Sequence, residues 1–128
     1  MAKILIVDDS LVARMSVKSC IPKDQGHELI EAGDGNRAIE LYKTVRPDVM
    51  FLDITMPVKN GLEVLEEVRG EFPQAVVIIL SADIQKQTHE KAHNLGAFAI
   101  VKKPPVKETV QAELLRALSV AGAGGHHG

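Results

Sequence analysis

The sequence has one cysteine, no tryptophan, three phenylalanines and one tyrosine among 128 residues. A single thiol, Cys20, cannot form an internal disulfide, which excludes a disulfide-stapled scaffold. Aromatics at 3% supply no platform for stacking single-stranded bases. Neither sign of charge dominates: 15 Lys and Arg stand against 17 Asp and Glu, a net charge of −2, so no broad positive field exists to gather phosphate backbones. Long hydrophobic runs are missing as well. The longest, such as Ala75 to Leu80, fall far short of the ~20 residues that span a bilayer. The opening Met1-Ala2-Lys3, followed by four apolar residues and two acids, has neither the h-region nor the cleavage site of a signal peptide. The expectation is a cytoplasmic protein that neither enters the membrane nor binds nucleic acid.

What remains is an ordinary globular composition, 45% hydrophobic and 25% charged, at a length that suits one domain. Such a chain buries roughly two-thirds of its unfolded surface and needs no structural metal. Cys20, just before Ile21-Pro22, reads as a half-buried structural thiol at a helix end.

Four short runs, Ile4 to Val7, Val49 to Leu52, Val76 to Leu80 and Ala97 to Val101, are strand-length and apolar on both faces, as in a parallel sheet covered on both sides. A fifth, His27 to Ala32, alternates more and reads as a strand nearer an edge. Helix-length stretches separate them. Ser10 or Asp9 can cap a helix over Val12 to Cys20, and Asp34 one through about Val45 with Ala38, Ile39, Leu41, Tyr42 and Val45 on its face. Gly61 opens a third that ends near Gly70, Gln85 to Asn94 forms a polar fourth, and Val106 to Val120 forms the fifth, with Val110, Leu114, Leu115 and Leu118 facing a core. Strict alternation of strand and helix predicts an α/β fold with helices on both faces of a parallel sheet. The domain is expected over residues 1–120, with residues 121–128, including His126 and His127, as a flexible Gly/Ala/His tail.

In an open parallel sheet, function sits beyond the carboxyl ends of the strands. The residues there are Asp8-Asp9, Asp53, Ser81 and Lys103. Taken singly, each acid is an ordinary turn former or helix cap. Together on one rim, three carboxylates repel unless a cation shares the site, and an all-oxygen set with few protein ligands suits Mg²⁺ better than Ca²⁺. Adding a lysine and a hydroxyl for an anion's oxygens describes a phosphoryl site.

The chain resembles the receiver domain of two-component response regulators, and in length the single-domain chemotaxis type. The matching pieces are Ile4-Leu5-Ile6-Val7-Asp8-Asp9-Ser10, Asp48 through Pro57 with Gly61, Leu80-Ser81-Ala82, and Gly96-Ala97 through Lys103-Pro104. The resemblance implies a flavodoxin-like, doubly wound five-stranded sheet of order 2-1-3-4-5. It makes Asp53 the phosphate acceptor, Asp9 a direct Mg²⁺ ligand, Asp8 a ligand through water and the Thr55 carbonyl a further ligand. Lys103, directly before Pro104, becomes the phosphate-binding lysine, with a cis peptide there. It further implies a phosphohistidine donor on a histidine kinase or phosphotransfer domain, and signalling without enzymatic turnover of its own.

By the same resemblance Ser81 moves towards the new phosphate, Thr55 and Asp83 flank the path of an attacking water, and a fifth-strand residue couples to the motion. That last position is Ile100, where an aliphatic chain replaces the family's aromatic ring. The expected output surface is the fourth helix, fifth strand and fifth helix. No effector region is expected after the fifth helix, so the signal passes by protein contact to a target or onward along a phosphorelay.

Three rival readings carry less. His89-Glu90-Lys91-Ala92-His93 matches the H-E-x-x-H zinc pattern, but the third histidine of its longer form falls on Ala99. An aspartyl-phosphate phosphatase of the haloacid-dehalogenase kind has a second Asp two residues after the nucleophile, and that position is Thr55. A receiver used only as an unphosphorylated binding module has no need of intact Asp8, Asp9, Asp53 and Lys103.

Overall fold

A computed structural model describes residues 2–82 and 85–125. Five strands, β1 (Lys3–Val7), β2 (Glu28–Ala32), β3 (Val49–Asp53), β4 (Val77–Ser81) and β5 (Ala99–Lys102), alternate with helices α1 (Leu11–Cys20), α2 (Gly35–Val45), α3 (Gly61–Glu71), α4 (Lys86–Asn94) and α5 (Lys107–Gly125). The strands pair in parallel in the order β2-β1-β3-β4-β5. This is the parallel sheet expected from the alternation of apolar runs and helical stretches, in the strand order that the resemblance implied.

Because side chains alternate across a strand, the sheet divides the core in two. Leu5, Val7, Met50, Leu52 and Ile79 pack with α2, α3 and Ala92 of α4, whereas Ile4, Ile6, Phe51, Ile78 and Leu80 pack with α1 and α5. Three helices begin on side-chain caps: Ser10 Oγ accepts from the Ala13 N–H, Asp34 from Arg37, and Asn60 with Glu63 forms a reciprocal capping box. Cys20 is buried, deeper than a half-buried thiol, and its carbonyl accepts from the Gln111 side-chain amide at 3.1 Å, tying the end of α1 to α5.

Two expectations for α5 are corrected. Leu115 is exposed, not core, because Val110, Leu114 and Ala117 form the buried stripe and a residue one step from Leu114 is turned ~100° away. The helix also continues through Gly125, past the end expected at Val120. Ala121 still packs against the second core cluster, which extends the apolar stripe by one turn. His126 and His127 lie outside the described residues.

The loop from β3 to α3 contains Val58 at φ 68°, almost fully exposed, with the Lys59 N–H donating to the Pro57 carbonyl at 2.8 Å. This three-residue turn holds a β-branched side chain in the left-handed region, at a cost of roughly 1–2 kcal/mol. Val58→Asn, whose side chain tolerates that region, is expected to raise unfolding free energy by about 1 kcal/mol with an unchanged denaturant slope. A urea titration showing no gain removes the strain argument.

Candidate functional site

The strand termini bring the predicted rim residues together. Among the described residues the buried polar side chains are Asp8, Asp53 and Ser81, which end or follow β1, β3 and β4. Lys103 follows β5, and its Nζ donates to Asp8 Oδ2 at 2.8 Å and to Asp53 Oδ1 at 3.1 Å. The pairing of Ser81 with Lys102 sets this reach: Lys102 is exposed, and the next residue turns to the opposite side, over the rim. The Lys103 N–H donates to the Ser81 carbonyl at 2.9 Å, and the Lys103-Pro104 peptide is cis as expected.

Asp9 is exposed, yet one of its carboxylate oxygens lies within 4.8 Å of oxygens of Asp8 and Asp53. Thr55 is exposed, and its N–H donates to Asp53 Oδ1 at 3.3 Å; the Ser10 N–H does the same for Asp8 Oδ1 at 3.0 Å. Ile100 is partly buried beside Ile79 on the face of α2, α3 and α4. Asp83 lies outside the described residues.

Burial pushes the Asp53 carboxyl above its ordinary pKa, opposed by the Lys103 hydrogen bond and reinforced by the charge of Asp8. Burial also works against the Lys103 ammonium, but its hydrogen bonds to Asp8 and Asp53 outweigh that and raise its pKa. One ammonium therefore faces three carboxylates, leaving two negative charges on an all-oxygen rim. A hard divalent cation fits that donor set and its charge.

Sequence reasoning missed what holds Asp8 from behind. The Arg14 guanidinium on α1 donates to the Asp8 carbonyl at 2.7 Å and, through Nε, to Glu31 of β2 at 2.8 Å. Lys18, one turn on, donates to the other Glu31 oxygen at 2.8 Å, and these two bonds hold the Glu31 pKa below its ordinary value. Arg14 and Lys18 stand at i and i+4 on α1, but nothing local in the sequence pairs them with Glu31 of β2.

A model of the response regulator receiver domain matches residues 4–115. The chain belongs to that family. This receiver is 39% identical to the chemotaxis protein CheY of Thermotoga maritima over 103 residues, covering 80% of this chain and 85% of that protein. It is 40% identical to CheY of Listeria monocytogenes over 105 residues, 81% of this chain and 87% of that one. Among solved structures, the chemotaxis protein CheY4 of Vibrio cholerae superposes with a TM-score of 0.84 at 32% identity, over 92% of the receiver and 99% of CheY4. The receiver is thus of the chemotaxis-like type, and no helix among its described residues is long and apolar enough to cross a membrane. Its H-E-x-x-H stretch lies on α4, and Ala99 packs on the α1 and α5 face of the sheet, so that position supplies no third zinc ligand.

Proposed function

We propose that the receiver accepts a phosphoryl group on Asp53, in a Mg²⁺-dependent reaction, from a phosphohistidine of a histidine kinase or phosphotransfer domain. The observation that carries this reading is Lys103 Nζ held between Asp8 and Asp53 at 2.8 and 3.1 Å, a cation already placed beside the nucleophile. Asp8, Asp9, Asp53 and the Thr55 carbonyl would hold Mg²⁺, which supplies neutralisation of charge on the phosphoryl oxygens.

Asp53 attacks phosphorus through an ionised oxygen, so it requires no general base; the O–P bond forms as the P–N bond to the donor imidazole breaks. Lys103 offsets the charge that spreads over the equatorial oxygens, and the Ser81 hydroxyl donates to one of them. The receiver assists its own phosphorylation and hydrolysis and is otherwise not an enzyme. Aspartyl phosphate adds about −1.5 to −2 charge at the rim. Movement of Ser81 towards it re-presents α4, β5 and α5, with Ile100 between, to a protein target in the cytoplasm.

The test is intact mass after incubation with acetyl phosphate or phosphoramidate. One added phosphoryl group is expected with Mg²⁺ and none with EDTA or in Asp53→Ala. A wild-type chain that stays unmodified with both donors and with a purified phosphohistidine domain overturns the reading.

A further inference from the structure

Outside the rim, α4 presents a second constellation that phosphoryl chemistry does not use. His89 and His93 are four residues apart on this nine-residue helix. Together with Lys86, Glu90 and Asn94 they line one concavity built from α4 alone. His93 is exposed and His89 half-buried, while Ala92 is the buried residue of the helix. Residues at i and i+4 lie on one helical face with Cβ atoms about 5–6 Å apart, the spacing at which two imidazoles on a helix grip one metal ion.

We propose that His89 and His93 form a two-imidazole site for a borderline divalent transition metal, Ni²⁺, Cu²⁺ or Zn²⁺. Imidazole selects these ions over Mg²⁺, whereas the all-oxygen rim has the opposite preference. The receiver thus sorts two kinds of cation by ligand chemistry on two surfaces. Two protein ligands leave the remaining positions to water, so the ion exchanges freely and is not structural. Glu90 adds a negative charge beside the pair, and Lys86 one turn away opposes the ion and limits affinity.

Chelation across one turn also acts on the helix. Among the described residues Ala92 is the buried residue of α4, and the rest of the helix faces outward or is half-buried. An ion that binds only when both imidazoles share a face favours the helical state by mass action. The helix follows β4 and Ser81, so the metal stiffens the element next to the phosphorylation rim. The site does not depend on phosphorylation and stands or falls by itself.

Ni²⁺ is titrated calorimetrically into the full chain with millimolar Mg²⁺ present to occupy the rim, and into the H126A/H127A variant, which removes the adjacent terminal histidines. In that variant a single site is expected to persist and to raise the melting temperature. Adding His93→Ala is expected to weaken it at least about tenfold, because the second ligand acts at high effective concentration. Adding Asn94→His to His93→Ala keeps two histidines but at i and i+5, and is expected not to restore affinity. Circular dichroism without metal checks that each variant folds. The proposal is overturned if tight binding vanishes in H126A/H127A, if His93→Ala leaves affinity unchanged, or if the i and i+5 pair binds as well as the native one.

Discussion

Replacing Lys103 by methionine is expected to slow Mg²⁺-dependent phosphorylation of Asp53 by roughly 10²-fold or more, the effect of deleting one preorganised charge-stabilising donor. Methionine keeps an unbranched stem, so the loss isolates the ammonium. The same change leaves Asp8 and Asp53, 1% and 3% exposed, facing each other without their shared cation. Breaking a buried ion pair costs about 3–5 kcal/mol; the lower end applies because the Lys103 side chain is 22% exposed. Without Lys103 the pKa of Asp53, already raised by burial, rises further.

The native variant then binds more protons than the unfolded chain between the ordinary carboxylate range and that raised value, so its stability falls as pH increases through the window. Urea titrations in EDTA should show the deficit at its largest near neutrality and shrinking as the solution is acidified. Added Mg²⁺ should narrow it by mass action. Wild-type phosphorylation kinetics in the variant, or a deficit indifferent to both pH and Mg²⁺, rules out the electrostatic account.

Gly61→Ala is the second large change, expected to cost at least about 3 kcal/mol, the upper part of the range for overpacking. A Cβ at this position would lie 2.2 Å from the Asp53 carbonyl oxygen and 2.7 Å from Ile54 Cα. Both are backbone atoms, so relief requires the end of β3 to move. The Gly61 N–H also donates to the Ile54 carbonyl at 3.0 Å, which locks the start of α3 against the strand that carries the acceptor. Phosphorylation should therefore slow together with the loss of stability. Gly70, near the other end of α3, is the internal control: a Cβ there meets nothing within 4 Å, and Gly70→Ala should stabilise by about 0.5–1 kcal/mol through helix propensity. Thermal melts that place the two variants within 1 kcal/mol of each other discard the close-approach argument.

The contrast between these two glycines marks what the sequence discloses. Strands β1, β3 and β4 were legible because burial on both faces keeps polar residues out of their interiors, so the first acid or hydroxyl at the carboxyl end of each apolar run announces the rim. Lys103 was separable from Lys102 by the proline that follows it, and strand alternation explains why the choice matters. Leu115 misled because a leucine pair invites two core positions where a helix of this pitch offers one. Arg14, Lys18 and Glu31 were invisible as a group because their contact joins α1 to β2, and no local pattern encodes a pairing between elements. Val58 gave no warning, since valine is among the residues least suited to positive φ. The closeness of Gly61 to Asp53 likewise exists only once the loop has folded back.

The bond from Lys103 to Asp8 spans 95 residues and has a consequence for the order of events during synthesis. Asp8 and Asp53 leave the ribosome early, and the edge strand β5 that delivers their counter-cation leaves late. Until it docks, closing the rim would bury two like charges with nothing between them. Such long-range contacts come at a high loop-closure cost and slow the search for the native state. The Lys103 ammonium is thus the last of the three rim groups to be synthesised, and Asp8 and Asp53 are best left hydrated until β5 has emerged to deliver it.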